Sequence, residues 1–427
     1  MYKNLAFLML IVSNFVNSSD VIIPNTFVPN TPALASEVNQ NFTTIIDVVN
    51  ILKTKVEIFQ SEIETLQTEV EALEISNLQK DLRISELEAN TVIDLDGFLT
   101  LEYLNGLPTA VFTGSNLQVD NGLGNTETVN GLGNLQLGLN ETSAIAKYFC
   151  ENPSYITQLD CENNQFIWLN NSRTGSHNLI LGTGHSYTSH SGIIAGKINV
   201  LNAPYASITS GLDNIAGAQF SHIGGGIINS TYAYASSILG GSENTTKIGN
   251  KSTISGGNNN IATGAESSIS GGQSNHASGS LSSVSGGRGN LASGNRSSVT
   301  GGRNNTASDD YSFVASGEDN IASGDTSSVL SGFDNLANDN YTSVLAGTRN
   351  SATNDYASVA GGVDNIADGE SSSVSGGQNN EAEERYSVVS GGFGNNAVGA
   401  ASVVGGGLNR TAFGESDWVA GLFFQDE

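Results

Sequence analysis

The chain has 427 residues, of which 51 are glycine and only 14% are charged, and its net charge is -26. A field this negative repels phosphate backbones and anionic membranes, which argues against nucleic-acid binding. Abundant glycine with few charged and aromatic residues is typical of repetitive architecture, rather than of the roughly two or three compact domains that this length would otherwise suggest.

Residues 1–18 predict a secretory signal peptide. Lys3 supplies a basic start, residues 5–12 are apolar, and the small residues Val16 and Ser18 suit cleavage after Ser18. The apolar run is shorter than the about 20 residues that a membrane-spanning helix needs. We therefore expect an exported protein, secreted or held at the cell surface, with residues 19–34 as an extended leader.

Residues 35–92 carry a heptad pattern that predicts a long α-helical coiled coil. One seam position holds Phe42, Val49, Val56, Ile63, Val70, Asn77 and Ile84, and the other holds Val38, Ile45, Leu52, Phe59, Leu66, Leu73, Lys80 and Leu87. Asn77 and Lys80 interrupt the apolar seam, and we expect them to set its register. A coiled coil needs partner helices, so the pattern predicts a homo-oligomer, and the seam by itself leans towards a dimer.

Residues 93–176 predict an irregular β adaptor that caps the region after it. Cys150 and Cys161 are expected to form a disulfide, because paired cysteines in an exported protein usually do so. A redox-active pair is the alternative, although the spacing is not that of a CxxC motif. Phe166 and Trp168, just after this loop, are expected to plug the end of the following domain.

Residues 177–419 contain sixteen copies of a short repeat, with a step of fifteen residues except for one step of sixteen. The copies begin at Ile193, Ile208, Ile223, Ile238, Ile254, Ile269, Val284, Val299, Val314, Val329, Val344, Val359, Val374, Val389, Val404 and Val419. A fixed short period predicts a mainly β fold, a parallel β-solenoid or β-roll of about sixteen 15-residue rungs. Residues 420–427 would form a C-terminal cap or tail.

Three positions of the repeat have a specific physical meaning. The third residue after the aliphatic one is glycine from Gly196 to Gly407, which predicts a positive φ or a close backbone approach. The tenth is mostly Gly, Asp or Asn, which predicts a second left-handed turn. The sixth is asparagine in fourteen rungs and predicts a stacked amide ladder. The ladder residues are Asn199, Asn214, Asn229, Asn244, Asn260, Asn275, Asn290, Asn305, Asn320, Asn335, Asn350, Asn365, Asn380 and Asn395.

The segments 283–287 (Ser-Val-Ser-Gly-Gly) and 290–294 (Asn-Leu-Ala-Ser-Gly) resemble the head repeats of trimeric autotransporter adhesins. The resemblance implies left-handed β-rolls from three chains packed side by side on coiled-coil stalks, and adhesion to host matrix or cells. It therefore favours a homotrimer. This chain departs from the family in placing the rod before the repeats. The residues after Val419 also leave no room for the family's membrane β-barrel, so we expect no membrane insertion.

The sequence contains no recognisable catalytic motif, and we expect no enzymatic activity. His177, His185 and His190 lie near the start of the repeats, but their spacing matches no zinc pattern. Acidic residues cluster in turns, for example Asp309 and Asp310, and leave Ca²⁺ as the one cofactor still open.

The features together predict a non-enzymatic exported fibrous protein that acts in adhesion or in building a filament or matrix. Its expected partners are further copies of itself, and cell-surface or matrix proteins or glycans. An ice-binding or a carbohydrate-binding β-solenoid is the alternative function.

Overall fold

The structure is a computed structural model that describes residues 22–88, 98–142, 148–152, 155 and 157–421. The predicted signal peptide and most of the predicted C-terminal tail lie outside the described residues. The described residues divide into two units, one ending at Leu117 and the other beginning at Gln118. A search of the described helices finds none that could cross a membrane.

The first unit contains one long helix, α1 (Ala35–Glu88), and a hairpin of two antiparallel strands, β1 (Leu99–Leu104) and β2 (Leu107–Phe112). The extended leader is tied to the start of the helix, because the backbone N–H of Asn25 donates to Asn41 Oδ1 over 2.9 Å and Asn41 Nδ2 donates to the Asn25 carbonyl over 2.7 Å. These bonds explain why Asn41 is buried in an otherwise exposed helix.

The prediction of a long coiled coil is wrong for this structure, in which α1 is the only described helix of seven or more residues. The helix is formed as expected, but as a single helix. Apolar residues also lie off the two seams, where Ile46, Leu78 and Leu82 are as exposed as seam residues such as Val56. Knobs-into-holes packing needs one narrow apolar stripe along the helix. In α1 the apolar positions are instead spread around the helix.

The second unit is a parallel β-solenoid of about sixteen turns. Its first sheet contains β3 (Leu135–Leu137), β6 (Leu179–Thr183), β8 (Ile193–Lys197) and fifteen two-residue strands, each paired in parallel with the next. These are β10 (Ser207–Ile208), β12 (His222–Ile223), β14 (Ser237–Ile238), β16 (Thr253–Ile254), β18 (Ser268–Ile269), β20 (Ser283–Val284), β22 (Ser298–Val299), β24 (Phe313–Val314), β26 (Ser328–Val329), β28 (Ser343–Val344), β30 (Ser358–Val359), β32 (Ser373–Val374), β34 (Val388–Val389), β36 (Val403–Val404) and β38 (Trp418–Val419).

The second sheet has 16 parallel strands and begins with β7 (Ser186–Tyr187) and β9 (Val200–Leu201). The others are β11 (Ile215–Ala216), β13 (Ser230–Thr231), β15 (Thr245–Thr246), β17 (Ile261–Ala262), β19 (His276–Ala277), β21 (Leu291–Ala292), β23 (Thr306–Ala307), β25 (Ile321–Ala322), β27 (Leu336–Ala337), β29 (Ser351–Ala352), β31 (Ile366–Ala367), β33 (Glu381–Ala382), β35 (Asn396–Ala397) and β37 (Thr411–Ala412). A third line of single-residue bridges runs between the two sheets, from Lys197 to Leu408.

The register follows the repeat with two adjustments. The first rung is set by Ile194, which pairs with Ile208 and is fully buried, whereas the predicted Ile193 is 40% exposed. The step of sixteen is absorbed in a corner, where Ile248 takes a positive φ of 63° and is 86% exposed. Because the extra residue lies in a turn, Ile238 and Ile254 still pair directly and the sheets continue without a slip.

Two lines of apolar side chains fill the interior. The Ile/Val residues of the first sheet and the Ala residues of the second form one continuous buried cluster from Ile238 to Ala412. Each buried valine contributes about 1.5–3 kcal/mol, but alanine contributes much less. The core is therefore thin, and polar columns must supply the rest of the interior.

The predicted strained turn at the third position is confirmed. Gly302, for example, has a φ of 86°, and an added Cβ would overlap the carbonyl oxygen of Gly317 in the next rung. The predicted left-handed turn at the tenth position is wrong, because the positive φ falls two residues later, at Arg296 (58°) and Tyr311 (55°). At Gly294 the reason for a small residue is instead the close approach of the Asp309 carbonyl.

Candidate binding surfaces

The fourteen asparagines of the repeat occupy one buried column, and each links two rungs. Asn305 is representative: its Nδ2 donates to the Gly301 carbonyl in its own rung and to the Gly317 carbonyl in the next, both over 2.9 Å. Its Oδ1 accepts the backbone N–H of Asn320 over 3.0 Å. The column thus bonds mainly to backbone, although a few direct amide contacts occur, such as Asn335 Nδ2 to Asn320 Oδ1 at 3.0 Å. Its hydrogen-bonding capacity is used within the fold.

His185 occupies the position of the same column one rung before Asn199, and its backbone N–H donates to Asn140 Oδ1 over 2.8 Å. Its Nε2 contacts the Leu181 carbonyl over 3.0 Å and its Nδ1 accepts the Asn199 backbone N–H over 3.2 Å. Because Nδ1 is an acceptor, the ring is neutral with its proton on Nε2. Burial lowers the pKa of His185, in agreement with this assignment. The sequence interpretation missed this role, although the position of His185 one rung before Asn199 was the available signal.

A column of buried serines completes the interior and was also missed. Ser282, Ser297 and Ser312 lie two residues before the aliphatic residue and are at most 1% exposed. Residues two apart in a strand point to the same side, so the spacing itself predicts this burial. The hydroxyl of Ser297 donates to the Gly294 carbonyl over 2.8 Å, whereas the buried hydroxyl of Ser282 has no hydrogen-bond partner.

From Ser207 to Gly421, the outward side of the first sheet carries no Asp, Glu, Lys or Arg. We call it the serine face and define it, in each rung from Ser207 to Gly421, as the residue before the buried Ile or Val and the two residues after it. These positions hold mainly Ser, Thr, Gly and Ala, with larger apolar residues such as Leu330 and Trp418, which are 41% and 65% exposed. In a chain with a net charge of -26, a whole neutral side is a pronounced segregation of charge.

The charges lie along the other sides and corners, where several pair between adjacent rungs. Arg349 binds Asp364 with two hydrogen bonds of 2.6 and 2.8 Å, and Arg303 pairs with Glu318. The pairing with Arg349 lowers the pKa of Asp364. Both pairs are exposed and contribute little to stability, but they keep neighbouring rungs in register without a net local charge.

A disulfide-linked insertion interrupts the first turns of the solenoid. It contains the antiparallel strands β4 (Tyr148–Cys150) and β5 (Trp168–Asn170) and the short helix α2 (Gln158–Asn163). Cys150 and Cys161 form a disulfide that joins β4 to α2. Phe149 is 3% exposed and packs with Leu169 on Val200 and Ile215, so one side of this ribbon is attached to the second sheet of the solenoid.

The opposite side of the ribbon forms a shallow cleft with α2. Tyr148, Phe166, Ile167 and Trp168 line it on one side, and Gln158 and Glu162 line it on the other. Phe166 is supported by Tyr155, whose ring centre is 5.6 Å away. The predicted plug function of Phe166 and Trp168 does not match this placement, because both residues line an open cleft.

The other predicted site residues do not converge on a chemical centre. Asn77 and Lys80 are exposed on α1. Of the three histidines near the entrance, His177 Nε2 accepts the Asn121 backbone N–H over 3.2 Å and His190 packs edge-on against Tyr205. Within the described residues, no three His, Cys, Asp or Glu side chains are grouped in a way that could hold a metal ion.

Comparison with known proteins adds no assignment. No protein-family model matches this chain, and no curated protein matches it.

Proposed function

We propose that this chain is a non-enzymatic, exported fibrous protein whose solenoid associates with further copies of itself and acts in adhesion or matrix building. The observation that carries the proposal is the neutral serine face on an otherwise strongly acidic chain. Two serine faces meet without charge repulsion, whereas the acidic corners of two copies repel each other.

The composition of the serine face supports the same proposal. Its many small side chains allow two sheets to approach closely, and the exposed residues Leu239, Leu330, Leu345 and Trp418 supply apolar area. The adhesin-type repeats in the sequence add the expectation of three copies and of a surface that contacts host cells or matrix. In such an assembly the acidic corners remain outside, available to a partner.

Light scattering on the full chain tests self-association and gives the copy number. We expect an oligomer that Ser298→Glu on the serine face dissociates. The matched control is Ser308→Glu, which adds the same charge at an exposed position outside this face. A wild-type monomer, or equal dissociation by both variants, would contradict the proposal.

Adhesion needs its own experiment. Beads coated with the full chain should bind to cultured cells or to immobilised matrix proteins, and beads coated with an unrelated acidic protein should not. If the coated beads bound to none of these surfaces, the adhesion part of the proposal would be wrong and only the matrix-building role would remain.

Ice binding is a second candidate, favoured by the regular outward hydroxyls of Thr253, Ser268, Ser283 and Ser298, which repeat at the strand spacing of about 4.8 Å. It requires the serine face to be open to solvent. A monomeric chain with thermal hysteresis would replace the self-association proposal, and an oligomer without hysteresis would eliminate ice binding.

A further inference from the structure

We propose that the cleft between β5 and α2 binds a neutral oligosaccharide, with a pyranose ring packed on Trp168. This site lies on the insertion and not on the serine face, so it does not depend on the proposed function. The two can fail separately, because one is measured by ligand binding and the other by molecular mass.

The first step of the argument is the pairing of β4 and β5. Cys150 lies opposite Trp168, and Tyr148 lies opposite Asn170. Phe149 and Leu169, which alternate with these residues, face the solenoid. Tyr148 and Trp168 must therefore share the outward side of the ribbon, as diagonal neighbours that are close enough to form one aromatic platform.

The second step is the support of the platform. The disulfide joins the outward side of β4 to α2, and Cys150 and Cys161 are 2% and 0% exposed. Thr157 caps α2 by accepting the Asp160 backbone N–H. Aromatic rings held in this way on a rigid frame lose little conformational freedom when a ligand binds.

The third step is the polar side of the cleft. Gln158 and Glu162 are four residues apart on α2, and Gln158 Nε2 donates to Glu162 Oε1 over 2.7 Å. The pair therefore presents an amide and a carboxylate on one face of the helix, next to the aromatic rings. An aromatic surface beside a few fixed polar groups suits a sugar, whose ring carries C–H groups on its faces and hydroxyls on its edge.

The charge of the site limits the class of sugar. Glu162 lies in the cleft, and the chain as a whole carries -26 charges. Uronic and sialic acids would be repelled, whereas the hydroxyls of a neutral hexose or an N-acetylhexosamine can donate to the carboxylate. We therefore infer a neutral oligosaccharide.

Fluorescence provides a direct test, because the chain has only two tryptophans. In full-length chain carrying Trp418→Phe, the emission of Trp168 is followed during titration with chitotriose, cellotriose and galactotriose, and with trigalacturonate as the charged control. We expect a saturable change in the Trp168 emission with at least one neutral sugar and no change with trigalacturonate. No saturable change with any neutral sugar, or equal binding of trigalacturonate, would overturn the proposal.

Variants locate the binding by calorimetry with the sugar that binds. Trp168→Ala should abolish binding, Trp168→Phe should retain part of it, and Gln158→Ala should weaken it by about tenfold. Leu159→Ala is the matched control, because Leu159 is 69% exposed on the same helix and does not line the cleft. Unchanged affinity in both Trp168→Ala and Gln158→Ala would place the sugar elsewhere and contradict the inference.

Discussion

The solenoid and the helix α1 use apolar residues in opposite ways. In the solenoid, every inward side chain contacts the equivalent side chain one rung away, so that Val329 and Ala337 are fully buried. In α1, seam residues such as Val49 and Val56 are 55% and 61% exposed. In a fifteen-residue repeat, each rung packs on the neighbouring rungs of the same chain. A heptad pattern only specifies an apolar surface that a partner helix could cover.

The largest expected effect comes from the same substitution made in the two regions. Asn305→Ala removes the donors to the Gly301 and Gly317 carbonyls and the acceptor of the Asn320 N–H, so that the buried Asn320 N–H loses its hydrogen-bond partner. We expect it to destabilise the solenoid by roughly 3 kcal/mol or more. Asn77→Ala in the exposed part of α1 should change stability by less than about 0.7 kcal/mol, because only helix propensity changes.

Chemical denaturation followed by circular dichroism measures both variants, and hydrogen exchange shows where the solenoid opens. Asn305→Ala should increase exchange in the rungs next to it. Equal effects of the two substitutions would show that the asparagine column is not a structural element, and would require another explanation for its burial.

The next effect is expected at two adjacent glycines. Gly302 has a positive φ and touches the next rung, whereas Gly301 has open space around its added Cβ. Gly302→Ala should destabilise by about 2 kcal/mol or more through backbone strain and overlap. Gly301→Ala should be nearly neutral, which makes it the control. Thermal melts of both variants measure the loss of stability. A larger loss for Gly301→Ala than for Gly302→Ala would mean that the two turn positions are assigned wrongly.

A smaller effect depends on pH and on the one histidine in the asparagine column. Burial, followed by the charge of Arg173, lowers the pKa of His185 from 6.5 in the folded chain. The unfolded state then binds the proton more readily. The stabilisation by His185 is present above pH 6.5 and is lost as the pH falls through the lowered folded value.

His185→Asn places the usual residue of the column at this position and should remove that part of the acid sensitivity. Hydrogen exchange of the first rungs at neutral and mildly acidic pH measures it. His276, whose pKa burial also lowers, is unchanged in the variant and serves as the internal reference. Identical pH dependence in both proteins would exclude His185 as the sensitive group.

Much of the solenoid could be predicted from the sequence, because the repeat places each residue type at a constant position. The period predicts the parallel strands, and the glycine at Gly302 predicts the positive φ. The second left-handed residue was assigned wrongly, because positions such as Arg296 and Tyr311 hold residues that rarely adopt this conformation. Hydrogen bonds to the preceding rung hold the backbone there: the Arg296 N–H donates to the Ser280 carbonyl over 2.8 Å.

The candidate sugar cleft could not be predicted in the same way. The pattern of residues 148–170 has no period, and its aromatic residues suit a plug as well as a platform. The difference depends on which side of β4 and β5 packs on Val200 and Ile215, and that contact joins residues distant in the sequence. Single-sequence patterns do not specify such contacts.

The smallest expected effect tests whether α1 is a single helix and not part of a coiled coil. Ile63 lies on a predicted seam but is 55% exposed in the single helix. Ile63→Gln should therefore change the stability of α1 by at most about 0.5 kcal/mol, since surface substitutions rarely do more. Circular dichroism of the full chain over a concentration series measures this change. Ile46→Gln, at an off-seam position that is 57% exposed, is the control. A large, concentration-dependent loss of helix with Ile63→Gln alone would mean that the seam is buried by another helix in solution.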